Sequence, residues 1–322
     1  MPGSLGALEV LVDGLFDYAG MFPPAALSFD EALAASVAFP HELKRPSLVG
    51  GDLVLSFEHL ARVRADLLQR LGFDQRRSFI ICVLGSALQN SADDNRALEL
   101  NAVSQFNAEG AGSEAERRVV SYEIKLGAAL QADHHALIEV LRRIQLGLQD
   151  QPLTIFVEPD LSGLSWDDVL ESTCGVIQTI NEDSTGARIG LKIRASGPTA
   201  VTPQKLCAVV SAVAAGQLHF KATAGLHHPI IERARYHNEL GFLNLAAALA
   251  FKRHFGSAFE DRDVLACLTC EQASAYSFQN GLHWNQHVIS ENQIELLRQN
   301  FHFSIGSCSL HEPDQDLLRL FG

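Results

Sequence analysis

No stretch of this sequence approaches the run of about 20 apolar residues that crosses a bilayer. The N-terminal segment from Met1 to Glu9 lacks the basic start and unbroken apolar core of a secretory signal. A cytoplasmic protein is expected. Positive charge is also scarce: 25 Lys and Arg stand against 38 Asp and Glu, for a formal net charge of -13. Without a cationic excess to displace counterions from a phosphate backbone, nucleic acid and anionic membrane are poor partners. The six cysteines, Cys82, Cys174, Cys207, Cys267, Cys270 and Cys308, are scattered, several inside apolar runs. That suits reduced core thiols better than a disulfide framework. Cys267 and Cys270 form one Cys-x-x-Cys, but a second ligand pair and a thioredoxin-like setting are both missing, so helix packing is expected there. There is no internal repeat and no low-complexity tract.

What the chain does have is length and core. With 322 residues, 47% of them hydrophobic, it can bury a large interior in one enzyme-sized domain. Short apolar runs alternate with amphipathic stretches, the pattern of βα units around a parallel sheet. Strands are expected within Leu8 to Tyr18, Ser47 to Leu55, Phe79 to Leu84, Val119 to Leu126, Leu153 to Glu158, Ile189 to Arg194, Leu218 to Thr223 and Phe301 to Ile305. The second contains Gly50-Gly51, which reads as a bulge. Helix starts are marked by Ser28 with Glu31, by Ser56 for a helix to Leu71, near Ser91, and by Asp133, Ser165, Thr202-Pro203 and Ser290. Eight such units are expected to close as a (β/α)8 TIM-type barrel in preference to a doubly wound open sheet. The single domain of residues 1–322 then carries residues 229–300 as a helical insertion between strands seven and eight, a lid or an interface, with Tyr276 to His287 as a long loop.

In such a barrel the working face lies at the C-terminal strand ends. Side chains alternate along a strand, so Lys192 shares a face with Arg194, and His219, Lys221 and Thr223 share another. Charged residues on a core strand are seldom buried unless paired, which makes these faces informative. Two lysines on neighbouring strands are expected to lower each other's pKa, leaving neutral amine that attacks a carbonyl to form a Schiff base, with Lys221 the preferred nucleophile. Two other readings use the same residues: an anion site, or ion pairing of Lys192, Arg194 and Lys221 with Glu123 and Glu158.

The segment Lys221-Ala-Thr-Ala-Gly225 resembles the Lys-Thr-x-Thr-Gly strand of the deoxyribose-phosphate aldolase family of class I aldolases, whose lysine forms the Schiff base. The segment from Phe303 to Leu310, followed by a final helix, resembles that family's eighth strand and phosphate-binding turn. The likeness spans strands six to eight, about a quarter of the chain. It implies a cofactor-independent aldolase-like lyase on a barrel, with Gly306, Ser307 and Ser309 facing a substrate phosphate. In that family the reactive lysine is on strand six and a second lysine on strand seven. Strand position therefore points to Lys192 and local motif to Lys221. The segment Leu226-His227-His228-Pro229 and the insertion after it have no counterpart there. The Asp17-Tyr-Ala-Gly20 and Lys221 to Pro229 segments also resemble bacterial proteins of unassigned function, which implies no activity.

Around the lysines, Glu158, Glu123 and His227 are expected to move protons, and Arg194, Thr223, Gly225, His228 and Asp17 to contact substrate. Consecutive His227 and His228 point apart on an extended backbone, so no metal is assigned to them. His134-His135 is expected on a solvated helix face, and Cys308 as a packed thiol, since no histidine is fixed beside it in sequence. Three functional classes remain open. The first is the lyase, acting without cofactor on a small carbonyl or phosphorylated substrate. The second is a metal-dependent isomerase or hydrolase using His227, His228 and carboxylates. The third is a non-catalytic anion-binding or interaction protein. A symmetric homodimer is compatible with each.

Overall fold

The apolar run Phe79–Leu84 forms a strand buried on both faces, as its lack of alternation requires. Seven further strands join it in one parallel sheet. In the computed structural model, which describes residues 6–73, 78–89, 96–113, 115–183, 186–232 and 239–321, these strands are β1 (Phe16–Tyr18), β2 (Val49–Ser56), β3 (Phe79–Leu84), β4 (Arg117–Lys125), β5 (Thr154–Glu158), β6 (Arg188–Arg194), β7 (His219–Thr223) and β11 (Phe303–Ser307). They close as a barrel in which β1 pairs with both β2 and β11. The TIM-type fold anticipated from the βα alternation is therefore present.

Helices α1 (Ala7–Val12), α2 (Phe29–Glu42), α3 (Ala65–Arg70), α4 (Arg96–Gly110), α5 (Ala128–Gln131), α6 (His134–Gly147), α7 (Trp166–Glu182) and α8 (Pro203–Ala215) precede or connect the first seven strands. Several begin where side chains can satisfy the free N–H groups of a first turn. Ser28 and Glu31 form a capping box, Asp133 accepts from the Ala136 N–H, and Thr202 accepts from the Lys205 N–H with Pro203 next in line. Ser165 precedes α7 without a side-chain capping bond, and Ser56 bonds His59 Nδ1 instead of capping a long helix. The stretch to Leu71 is accordingly a 3-10 turn (Phe57–Arg62) followed by the short α3. The expected helix start at Ser91 lies outside the described residues.

The first strand is shorter than its expected window, the irregularity expected at Gly50-Gly51 is present, and the insertion needs correction. Leu8 to Val12 is helical, and only Phe16–Tyr18 is strand, because the apolar residues of α1 follow helical spacing and pack on a later helix, α11 (Glu291–Asn300). The irregular register between β1 and β2 lies opposite Gly50-Gly51, where a bulge was expected. Residues 229–300 are not wholly helical. Besides α9 (Phe242–Phe255), α10 (Asp261–Leu268) and α11, they hold an antiparallel sheet of β8 (Tyr276–Ser277), β9 (Gly281–Trp284) and β10 (His287–Ser290) where a loop was expected. The β9–β10 turn runs through Asn285 at φ 52°, a left-handed position that asparagine tolerates. The sheet is short, and His287 packs edge-on against Phe259 at 4.8 Å. Every residue from Phe242 to Phe251 is buried, so α9 needs cover all round; α8 and α10 flank it, with β10 beside it. The side chain of Asn244 fastens this region by accepting from the Ile231 N–H and donating to the carbonyls of Cys267 and Cys270. The final helix, α12 (His311–Phe321), follows β11.

At the N-terminal end of the barrel His302 and His219 plug the interior. The His302 N–H donates to His219 Nδ1 at 3.0 Å, and Thr154 Oγ1 lies 3.2 Å from His302 Nδ1. Burial, followed by the positive charge of Lys221, pushes His302 down to about 3, and burial with Arg253 pushes His219 down to about 4. Folded-state values below the unfolded value of about 6.5 make the neutral forms stabilising above that pH. As pH falls from there, the unfolded chain binds protons that the folded chain refuses. Equilibrium unfolding between pH 6.5 and 4 should therefore show stability declining, each histidine contributing about 1 kcal/mol per pH unit. His302→Gln should shallow that decline; an unchanged slope would mean that His302 is not buried as a neutral base.

Candidate active site at the C-terminal mouth of the barrel

In register, Lys192 on β6 pairs with Lys221 on β7, and Arg194 pairs with Thr223 one step nearer the mouth. The two lysines do not face each other bare. Glu123, reaching across the barrel interior from β4, places Oε2 at 2.5 Å from Lys192 Nζ and Oε1 at 2.6 Å from Lys221 Nζ, bridging them. Glu158, at the end of β5, lies 2.7 Å from Lys192 Nζ and 3.4 Å from Arg194 Nε. Lys221 also donates to Asp17 of β1 and to Cys82 Sγ of β3 at 3.4 Å. The Cys82 thiol donates to Glu123 at 2.7 Å. The ion pairing of Lys192, Arg194 and Lys221 with Glu123 and Glu158 foreseen from strand alternation is thus the arrangement found, with Asp17 as a further partner.

This geometry reverses the expected direction of the lysine shifts. Burial lowers the pKa of Lys192, but Glu123 and Glu158 outweigh it and hold the ammonium above its ordinary value. Lys221 is likewise lowered by burial and raised further by Asp17, Cys82 and Glu123, with a net upward shift. Mutual repulsion between the lysines loses to the carboxylates placed between and beside them. Burial acts to raise Glu123 and Glu158, yet their lysine partners hold both below the usual carboxylate range. Asp52 of β2 goes the other way: burial first, then the negative charge of Asp17, pushes it well above that range.

Glu123, Glu158, Lys192, Arg194 and Lys221 line a cavity of about 520 Å3 that opens at the strand ends, with Lys125, Ser196, Thr223, Gly225, His227 and Cys308; Asp17, expected to contact substrate, is not part of this lining and pairs with Lys221 instead. Gly225 has φ 71°, and a Cβ there would come 2.6 Å from that of Ser196, so both conformation and space call for glycine. Gly306 lies beside Thr223 on the same wall. Arg194 and Lys125 are the cations nearest the opening, the Arg194 side chain 39% exposed. An anionic substituent of a bound molecule would meet these two groups.

The remaining expected site residues divide. His227 joins the cavity wall, whereas His228 turns to α12 and meets Asp316 at 2.6 Å. The Ser307 hydroxyl donates to the Ser309 carbonyl at 2.6 Å and accepts from the Ser309 N–H, so the turn bonds to itself. Ser309 lines a separate surface depression with Tyr18 and Phe39. Among the described residues no group of three or more His, Cys, Asp or Glu is arranged to hold a metal ion. His134 and His135 are exposed on α6, as expected.

Cys82, Asp52 and Lys125 were not among the residues singled out from sequence. Cys82 sits in an unbroken apolar run and carries no alternation signal, but the matched register Val54–Cys82–Ser121 puts it on the inward face. A packed thiol is expected at Cys308 because the sequence places no histidine beside it. The fold supplies one: His227 Nε2 lies 4.0 Å from Cys308 Sγ. No protein-family model matches the chain, and no curated protein matches it.

Proposed function

We propose that this barrel is a cofactor-independent lyase of the class I aldolase type, acting on a small carbonyl compound that carries an acidic group, with Lys192 as the imine-forming residue. The observation that carries the reading is the pair of register-matched lysines on β6 and β7 sharing one carboxylate, Glu123, beneath an open cavity. Lys221 spends its three N–H bonds on Asp17, Glu123 and Cys82. Lys192 spends two, on Glu123 and Glu158, which leaves one direction for an approaching carbonyl. Strand position in the resembling family points to the same residue.

The resting Lys192 is an ammonium, so its proton passes to Glu158 as the amine adds to the carbonyl carbon. The carbinolamine regains that proton on oxygen and loses water to give the iminium. Its positive nitrogen then accepts the electron pair of the adjacent carbon–carbon bond as that bond breaks. The β-hydroxyl gives up its proton to Glu158 and leaves as an aldehyde; the enamine is protonated and hydrolysed, freeing Lys192. Arg194 and Lys125 hold the acidic substituent, phosphate or carboxylate.

Imine formation exchanges the α-protons of small ketones and aldehydes with solvent, whatever the physiological substrate. In D2O, nuclear magnetic resonance should show α-deuteration of compounds such as dihydroxyacetone phosphate or pyruvate by the wild-type protein and not by Lys192→Met. Complete charge pairing in the network also fits a barrel that binds an anion without turnover. That second reading predicts anion binding, weakened by Arg194→Ala, with no exchange across the panel, and that outcome would replace the first.

A further inference from the structure

Outside the lysine network, three side chains from three elements converge at the cavity rim. His227, in the loop after β7, places Nδ1 3.2 Å from Glu312 Oε2 of α12, while Nε2 faces Cys308 Sγ at 4.0 Å in the turn after β11. Ser307 Oγ lies 3.4 Å from the same Nδ1. Since Ser307 gives its proton to the Ser309 carbonyl, it accepts on that side, as Glu312 does. Both neighbours therefore select the tautomer protonated at Nδ1, and the Nε2 lone pair is left turned toward the thiol. Cys308 and His227 both line the cavity, so a bound molecule reaches the sulfur.

We propose that Cys308, His227 and Glu312 form a second nucleophilic centre at the mouth of the cavity, which takes a small aldehyde as a reversible thiohemiacetal. Nε2 of His227 accepts the thiol proton as Sγ bonds to the carbonyl carbon. The carbonyl electron pair moves to oxygen and receives that proton back from the imidazolium. No leaving group, oxidant or cofactor is needed, and Glu312 steadies the transient imidazolium. Burial and the charges of Glu312 and Glu239 hold the thiol above its ordinary pKa, so the sulfur rests as a thiol and needs a base beside it, the place that Nε2 of His227 occupies. This chemistry does not pass through Lys192.

Cys270 provides an internal reference, because it too is partly exposed while Cys82, Cys174, Cys207 and Cys267 are buried. Under limiting iodoacetamide, with peptide mass spectrometry as readout, Cys308 should be alkylated about tenfold faster than Cys270 or more. His227→Gln should bring Cys308 down to the Cys270 rate. Glycolaldehyde should protect Cys308 but not Cys270, in the wild-type protein and equally in Lys192→Met, where no imine can form at that residue. Protection in the wild-type protein tests the proposal whether or not the histidine variant folds. Equal alkylation of the two cysteines, or no protection by glycolaldehyde, would overturn it, and neither result bears on imine formation at Lys192.

Discussion

Glu123→Ala is expected to destabilise the protein by about 3–5 kcal/mol, the cost of removing one partner from a buried ion pair. One carboxylate here serves two ammonium groups, at 2.5 Å and 2.6 Å, and its side chain is only 3% exposed. Its loss leaves Lys192 with Glu158 alone, Lys221 with Asp17 and Cys82, and the two lysines facing each other without a carboxylate between them. The measurement is urea unfolding near neutral pH, read as a lower midpoint at unchanged slope. Glu123→Gln keeps the shape and removes the charge, and should recover only part of the loss. The pH response follows in sign. Glu123 and Glu158 are held below their unfolded value of about 4.3, so their stabilisation is present above that pH and lost as pH falls through the lower folded values. Lys192 and Lys221 are held above about 10.4, and their share persists below that pH and disappears as pH rises through the raised folded values.

The second large effect is functional. Lys192→Met should lower α-proton exchange by on the order of 10^3-fold or more, since no other group on this wall replaces the amine with its open direction. The barrel should survive, because methionine follows the same path between β5 and β7 and Glu123 keeps Lys221 as partner. Lys221→Met should reduce exchange less, by changing the charge beside Glu123 without removing the nucleophile. Equal losses in the two variants would argue that the lysines act as one unit and that Lys192 is not the separate imine former.

The eight-stranded barrel was readable because buried parallel strands such as Phe79–Leu84 and caps such as Asp133 and Thr202 are local features of the chain. The strand faces of Lys192 and Lys221 were readable for the same reason: alternation is a property of five residues. What alternation does not encode is which third side chain comes between two neighbours. Glu123 reaches both lysines from β4, across the barrel interior from β7, so the sign of the lysine shifts depended on closure and not on sequence spacing. His227 and Cys308 are 81 residues apart, and their approach depends on β7 and β11 being neighbours. The β8–β10 sheet escaped notice because its strands are two to four residues long and its β9–β10 turn contains Asn285-Gln286 in place of a glycine pair. The Ser307 turn was visible as a motif in sequence, but the bond that its hydroxyl makes within the turn depends on the folded backbone.

The central claim, that Lys192 forms an imine, is tested most directly by incubating the protein with small phosphorylated and carboxylated carbonyl compounds, adding borohydride, and mapping the product by peptide mass spectrometry. A single secondary-amine adduct at Lys192, missing from Lys192→Met, is the predicted result. No adduct on any lysine across the panel, or an adduct at Lys221 with Lys192 unmodified, would contradict it.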